Sequence, residues 1–327
     1  MNLRAEDITI AITVYDRRDY VVAAIDSALA QTVPVKVMVV EDCGPDPGLR
    51  EFILQKFGGR IEYLRNPQNR GLFDNWNACL EYCRTPWLSI LHDDDLLYPH
   101  FVETMLALAQ QAPGRGLYYG RRNRLEPDGK IYPPTLVSWQ NWRDLDTSEA
   151  LLELADESVL GYPGNLIRVA AARSLGGFRK HFRFTGDWDM WMRLTVHFGG
   201  IETATVVAVG RCHEDFGRAS SGVTRRGWKW VLDNVQRKRN LNLLKTAQGI
   251  SAPFDRAKLV RRNPVPMRQM LRQAGGFSRG VLVYNWWLLT QSTPPHWHYA
   301  LLQQAMRWFG PQFLRRLSSC ATRLKRT

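Results

Sequence analysis

The apolar run Trp87-Leu88-Ser89-Ile90-Leu91 ends abruptly in His92-Asp93-Asp94-Asp95. A short continuous apolar run reads as a strand buried on both faces, which belongs inside a sheet covered by helices. Carboxylates emitted at the C-terminal end of such a strand leave the sheet at the edge where open α/β folds bind their ligands. Adjacent acids repel one another and call for a cation, and hard oxygen ligands suit magnesium or manganese. The competing reading is an acidic helix N-cap, where aspartate is favoured and the helix dipole tolerates negative charge.

The surrounding pattern bears on that choice. Residues 8–14 alternate as a strand, and residues 20–31 place Val21, Ala24, Ile25, Ala28 and Leu29 on one helical face. Residues 35–40 form a second apolar strand ending at Glu41-Asp42, and 61–64 a short third. Residues 71–82 are helical, 87–91 form the fourth strand, and 100–111 another helix. Strands alternating with helices of this length imply right-handed crossovers and a mostly parallel sheet in an α/β domain. Every strand but the third delivers polar residues at its C-terminal end: Tyr15-Asp16-Arg17, Glu41-Asp42 and the acidic run. That repetition describes a ligand cleft. No GxGxxG and no GxxxxGK[ST] occurs, so a nucleotide here has to be held by carboxylates and a metal instead of a glycine loop. Residues 112–146 read as loops and short strands, and 147–217 as mixed structure. Beyond Arg225 the chain reads as helical, interrupted at Pro253, Pro264, Pro266, Pro294, Pro295 and Pro311.

Charge divides the chain. From Arg218 onward 21 basic residues face only Asp233 and Asp255, a net +19, while residues 1–217 carry 23 basic and 29 acidic groups, a net −6, which together make +13. A strongly basic C-terminal part points to a polyanionic partner, either nucleic acid or anionic lipid. The five cysteines form no metal-ligand pattern, and Cys79 and Cys83 read as packed thiols. Residues 1–14 lack the apolar core of a signal peptide, and residues 281–290 are too short to span a bilayer, so a cytoplasmic location is expected.

Several ordered motifs resemble those of the family 2 glycosyltransferases, with the GT-A fold, over roughly residues 8–221. Ile10-Ala-Ile-Thr-Val-Tyr15-Asp-Arg17, then Tyr20, Ala24-Ile25-Asp-Ser27 and Gln31-Thr32, resemble the family's opening strand and helix, with Thr13 where proline is usual and Asp16 where asparagine is usual. Val39-Val40-Glu41-Asp42-Cys43-Gly44 resembles the strand end that carries paired aspartates, with Glu41 replacing the first. Residues 66–77, including Asn69-Arg70-Gly71 and Asn77, resemble the segment before the next helix. His92-Asp93-Asp94-Asp95 occupies the DXD position, with His92 for the first aspartate. Gly186-Asp187-Trp188 resembles the acceptor-side Glu-Asp-Trp helix, with Gly186 in the glutamate slot, and Arg211-Cys212-His213 with Arg218 and Ser220-Ser221 resembles a later family segment.

The resemblance implies a nucleotide-sugar donor, a divalent metal (Mn2+ or Mg2+) and inversion at the anomeric carbon. It places Thr13, Tyr15 and Arg17 at the base pocket, and Glu41 or Asp42 on the nucleobase imide or a ribose hydroxyl. Arg70 would approach the base or diphosphate, with Asn77 on the same donor side. His92 or Asp93 would reach the ribose, Asp94 the metal, supported by Asp95, and His213 the metal or diphosphate. Uridine diphosphate sugars are the family's commonest donors, and a glycan or lipid-linked acceptor in cell-surface polysaccharide or glycolipid assembly is the expected partner. The implied organisation is a GT-A domain over 1–221 and a basic, mainly helical extension over 222–327, one hypothesis being that the extension lies on the anionic inner face of a membrane.

Reaction chemistry asks for the same parts. A departing nucleoside diphosphate needs its negative charge stabilised. The attacking hydroxyl must lose its proton to a base on the opposite face of the sugar. Asp187 is the candidate base and Asp189, pointing away from it along a helix, the alternative. Trp188 and Trp191 are either core or sugar-stacking platforms. His296-Trp297-His298 is read as no metal pair, because neighbours two apart face different ways. Two other functions compete. A nucleotidyltransferase lacks its usual glycine- and lysine-rich loop here, and a nucleic-acid-binding protein is favoured only by the basic, tryptophan-bearing tail.

Overall fold

A computed structural model describes residues 3–180, 185–213 and 228–252. By internal contacts Met1–Gly217 form one compact unit and Arg218–Thr327 a second. Ten strands, β1 (Ile8–Val14), β2 (Lys36–Glu41), β3 (Glu62–Arg65), β4 (Trp87–His92), β5 (Leu96–Leu97), β6 (Leu117–Leu125), β7 (Ile131–Tyr132), β8 (Trp142–Asp144), β9 (Asn165–Arg168) and β10 (Gly200–Arg211), make one sheet. Its order is β3-β2-β1-β4-β9-β6-β10-β5, with β7 on β6 and β8 on β10. The first four strands in that order are parallel, β9 runs against both neighbours, and β6 and β10 are parallel to each other.

All seven residues of β1 are buried, as a central strand covered on both faces requires. Ile8, Ile10, Ile12 and Val14 share one core with Val21, Ala24, Ile25 and Ala28 of α1 (Arg18–Leu29). Leu49, Ile53 and Phe57 of α2 (Leu49–Phe57) and Phe101, Val102, Met105 and Leu108 of α4 (Phe101–Gln111) close the same core. On the opposite side α3 (Leu72–Tyr82) approaches β1, β2 and β4. The helices α5 (Ser148–Asp156), α6 (Val169–Ser174) and α7 (Gly186–Phe198) complete the first unit, and α8 (Trp228–Gln248) belongs to the second.

The register aligns the strand ends that matter. Thr13 lies beside both Val40 and His92, and Val14 beside Glu41, so three C-terminal strand ends open on one edge. The acidic run then turns directly into β5, and the next helix, α4, begins only at Phe101 with His100 before it. The helix-cap reading of the acidic run is therefore set aside.

Several boundaries move for physical reasons. The first helix runs from Arg18 to Leu29, and not over 20–31, because Gln31 leaves the helix and uses its side chain instead. Its amide donates to the carbonyls of Ser27 and Tyr98 (3.0 Å each) and its oxygen accepts from the Val102 amide (3.0 Å). The third strand is one residue later than expected, since Met38 pairs with Glu62 while Ile61 drops into the core. Sequence reading passed over α2 and did not single out the long strand β6 inside the region read as loops and short strands. The expected extension helices are represented by α8; residues 253–327, with His296-Trp297-His298, lie outside the described residues.

Candidate active site

Thr13, Arg17, His92 to Asp95 and His213 come together at that sheet edge. Asp94 receives the guanidinium of Arg17 and, at 2.8 Å, Nε2 of His213. Arg17 also stands 3.5 Å from Asp93, and Nε of Arg211 donates to the Asp94 carbonyl at 3.0 Å. Asp95 accepts the Arg211 amide at 2.9 Å and faces Nδ1 of His92 at 3.5 Å. His213 is held edge-on against the Tyr20 ring, over which the Arg211 guanidinium lies at 4.8 Å. Ligand atoms of His92, Asp94 and Asp95 lie within 4.8 Å of one another. Here His92 joins the acidic pair, beside its implied ribose role.

The electrostatics follow from crowding. Burial and the neighbouring Asp94 push the Asp93 carboxyl up to about 7, against the pull of Arg17 and His92. Burial alone would raise Asp94 too, but His92, Arg17 and His213 outweigh it and hold that carboxyl below its usual range. Burial alone would lower His92, yet Asp95 and the other two acids leave it raised. Oxygen and imidazole ligands of this kind fit a divalent cation, and Nε2 of His92 is buried without a partner, as an atom awaiting a ligand would be.

Other expected donor contacts have partners inside the fold. Glu41, fully buried, accepts the Gly44 amide (3.0 Å) and the Tyr63 hydroxyl (2.6 Å) and pairs with Arg65 (3.3 Å). Asp42 accepts from Asn66 (2.9 Å) and from the Arg70 and Gly71 amides (2.8 Å each), fixing the turn into α3. Arg70 forks onto Glu81 with two 2.8 Å bonds, and Asn77 is bonded both ways to the Phe178 backbone. Arg70 and Asn77 would have to leave these partners to touch a donor, whereas Tyr15 stays exposed. Gly44 lets the chain pass close to Tyr15, because a Cβ there would collide with the Tyr15 carbonyl oxygen.

Asp187 stands in the first turn of α7, after Thr185. Its carboxylate accepts the Trp188 amide at 2.8 Å, and burial pushes its pKa up despite that bond and the charges of His92 and Arg122. Asp189 is bound instead by Arg193 through two 2.8 Å contacts. Trp188 and Trp191 are buried, 2% and 0% exposed, which makes them core and not sugar platforms. Sequence reading missed two neighbours of Asp187. The Tyr162 ring packs on His92 and Trp76 (4.7 Å each) and on Trp191 (5.4 Å), and Arg122 carries charge towards the carboxylate. Both come from stretches without periodicity, where nothing in the sequence marks them.

Comparison with known proteins agrees with this geometry. Residues 9–176, just over half of the chain, match the model of "Glycosyl transferase family 2". An uncharacterized glycosyltransferase of Rickettsia bellii (strain RML369-C) is 28% identical over 193 residues, 57% of this chain and 27% of that protein. Chondroitin synthase of Pasteurella multocida (strain Pm70) is 24% identical over 191 residues, 58% of this chain and 19% of that protein. The chain thus spans a third or less of the length of these relatives. The crystal structure of S. aureus TarS 1-349 in complex with UDP-GlcNAc aligns with a TM-score of 0.55 at 14% identity, covering 92% of this chain and 91% of that one. That likeness concerns the fold, a mixed α/β GT-A architecture. The nucleotidyltransferase reading falls with the family match. The chain belongs to glycosyl transferase family 2.

Proposed function

We propose that this enzyme transfers a sugar, with inversion, from a uridine diphosphate donor to a hydroxyl acceptor, with the help of a divalent cation. The observation that carries the reading is the meeting of His92, Asp94, Asp95 and His213 at the C-terminal strand edge, with Asp187 at the start of α7. The UDP donor is supported by the similarity to TarS, whose structures hold UDP-GlcNAc and UDP. His92, Asp94 and Asp95, with His213, would hold Mn2+ or Mg2+. When bound, such an ion supplies Lewis-acid stabilisation of charge on the diphosphate. Arg17 adds positive charge to the same place and would turn from Asp94 towards the phosphates.

Asp187 takes the proton of the attacking hydroxyl. The new glycosidic bond forms as the bond from the anomeric carbon to the diphosphate oxygen breaks, and its electron pair leaves with UDP. A carboxylate whose pKa is raised by burial is a stronger base for this task. Tyr15 would lie against the base, and Asp42 would shape the donor pocket by bracing the turn at Arg70 and Gly71. Cell-surface polysaccharide or glycolipid assembly is the setting we infer, supported by relatives such as chondroitin synthase.

The basic residues 222–327 would serve as an extension holding the enzyme at the anionic inner face of a membrane or against an anionic, lipid-linked acceptor. No helix among the described residues is long and apolar enough to cross a membrane, and each basic group near an anionic surface adds about 1 kcal/mol. The test of the donor reading is hydrolysis of a UDP-sugar panel with Mn2+ and with EDTA. Release of UDP with Mn2+ and its loss with EDTA is expected. No turnover of any UDP-sugar, or turnover indifferent to EDTA, would overturn it.

A further inference from the structure

The strand β6 carries its arginines on alternating faces. Arg121 turns to the buried carboxylate of Glu202 at 3.1 Å, and Asn123, on the same face, to the Tyr98 hydroxyl at 2.9 Å. Arg122 and Arg124 point the other way. Arg124 pairs with Glu126 at 2.6 Å, but Arg122 makes no hydrogen bond or ion pair with any described residue. Its guanidinium lies against two glycines. A Cβ on Gly161 would come within 2.7 Å of Nη2, and one on Gly210 within 3.3 Å of Nη1. Gly161 adjoins Tyr162, whose ring packs on Trp191 of α7, the helix that Asp187 opens. Gly210 adjoins Arg211, whose amide bonds Asp95, so the unpaired cation borders the site between Tyr162 and Arg211, and its charge favours the ionised form of Asp187.

We propose that Arg122 binds an oxyanion of the acceptor, so that the substrate class is a sugar or polyol bearing a phosphate or carboxylate near the hydroxyl that Asp187 deprotonates. This rests on the reading of Asp187 as base. The planar guanidinium fork matches either anion bidentately. The diphosphate of the donor is served elsewhere, where Arg17 and His213 gather on Asp94. Gly161 and Gly210 leave the fork flat and open, where any side chain would crowd it.

The test uses the full-length protein saturated with UDP and Mn2+, titrated with glucose 6-phosphate, glucuronic acid and glucose and followed by saturation-transfer NMR. At least one anionic probe binds more tightly than glucose, and which one tells phosphate from carboxylate. Arg122→Gln, a change in an exposed side chain, weakens that probe by about tenfold or more, the scale of a lost charged hydrogen bond, and leaves glucose unchanged. UDP affinity shifts by less than about threefold. Gly161→Ala keeps the charge but displaces the fork, and weakens the same probe. The proposal fails if the wild-type protein shows no preference for an anion, or if Arg122→Gln leaves that preference intact. It also fails if UDP affinity drops in parallel, which would put Arg122 on the donor diphosphate. UDP binding is measured before any probe is added, so a wild-type protein that does not bind UDP strikes the donor reading first, and the proposal falls with it.

Discussion

Asp189 gives its carboxylate to Arg193 and Arg179, whereas Asp187, two residues earlier, accepts from the Trp188 amide. The two changes should therefore separate. Asp187→Asn is expected to keep UDP and Mn2+ binding while transfer falls by roughly 10²- to 10⁴-fold, the usual contribution of a general base. Less than about tenfold loss in a transfer assay would move the role elsewhere. Asp189→Ala leaves the Arg193 guanidinium buried without its counter-charge and should cost about 3–5 kcal/mol in a denaturant titration. A stability near wild type would show that the pair is dispensable. The pH dependence of transfer follows from the raised pKa of Asp187. The base works deprotonated, so transfer is full above that pKa and falls as pH drops through it. A raised folded-state pKa means that the folded protein holds this proton more tightly than the unfolded chain, so this group favours folding on the acid side. Protonation of Asp187 thus removes the base without itself opposing folding, and circular dichroism through the acid limb should stay flat while transfer falls.

At the scale of elements, the helix α2 shows what local pattern conceals. Leu49, Ile53 and Phe57 are its buried positions, spaced four apart, with polar residues filling most of the remainder. Ile53→Ala should cost about 2–5 kcal/mol as a core truncation, and a change below 1 kcal/mol in thermal or chemical unfolding would mean that the helix is peripheral. The parallel strands were legible because Trp87 to Leu91 reads as a nearly continuous apolar run, while Ile8, Ile10, Ile12 and Val14 alternate with smaller or polar residues. The strand β6 was not, because only its first four residues are buried and arginines occupy its outer half. The acidic run and Asp187 could be singled out in the sequence because charged residues directly at strand and helix ends stand out against the apolar segments beside them. Their partners were not: Tyr162 and Arg122 reach the site only through the crossing of β6, β10 and the loop before β9, which no short window of sequence contains.

At the scale of the whole molecule, the charge asymmetry suggests where the enzyme works. If the basic residues 222–327 meet an anionic surface, co-sedimentation with anionic vesicles should exceed that with neutral ones and fall in high salt. Equal partitioning to both would remove the surface role. The catalytic unit makes a sharper claim, that donor binding runs through a cation held by the acidic run at the sheet edge. Calorimetric titration of UDP tests it most directly, into wild-type protein with Mn2+ and with EDTA, and into Asp94→Ala with Mn2+. The wild-type affinity should drop at least about tenfold in EDTA, the scale of a lost charged contact, and Asp94→Ala in Mn2+ should match that weakened value. An Asp94→Ala protein that binds UDP as tightly as wild type, with the same response to EDTA, would contradict the account.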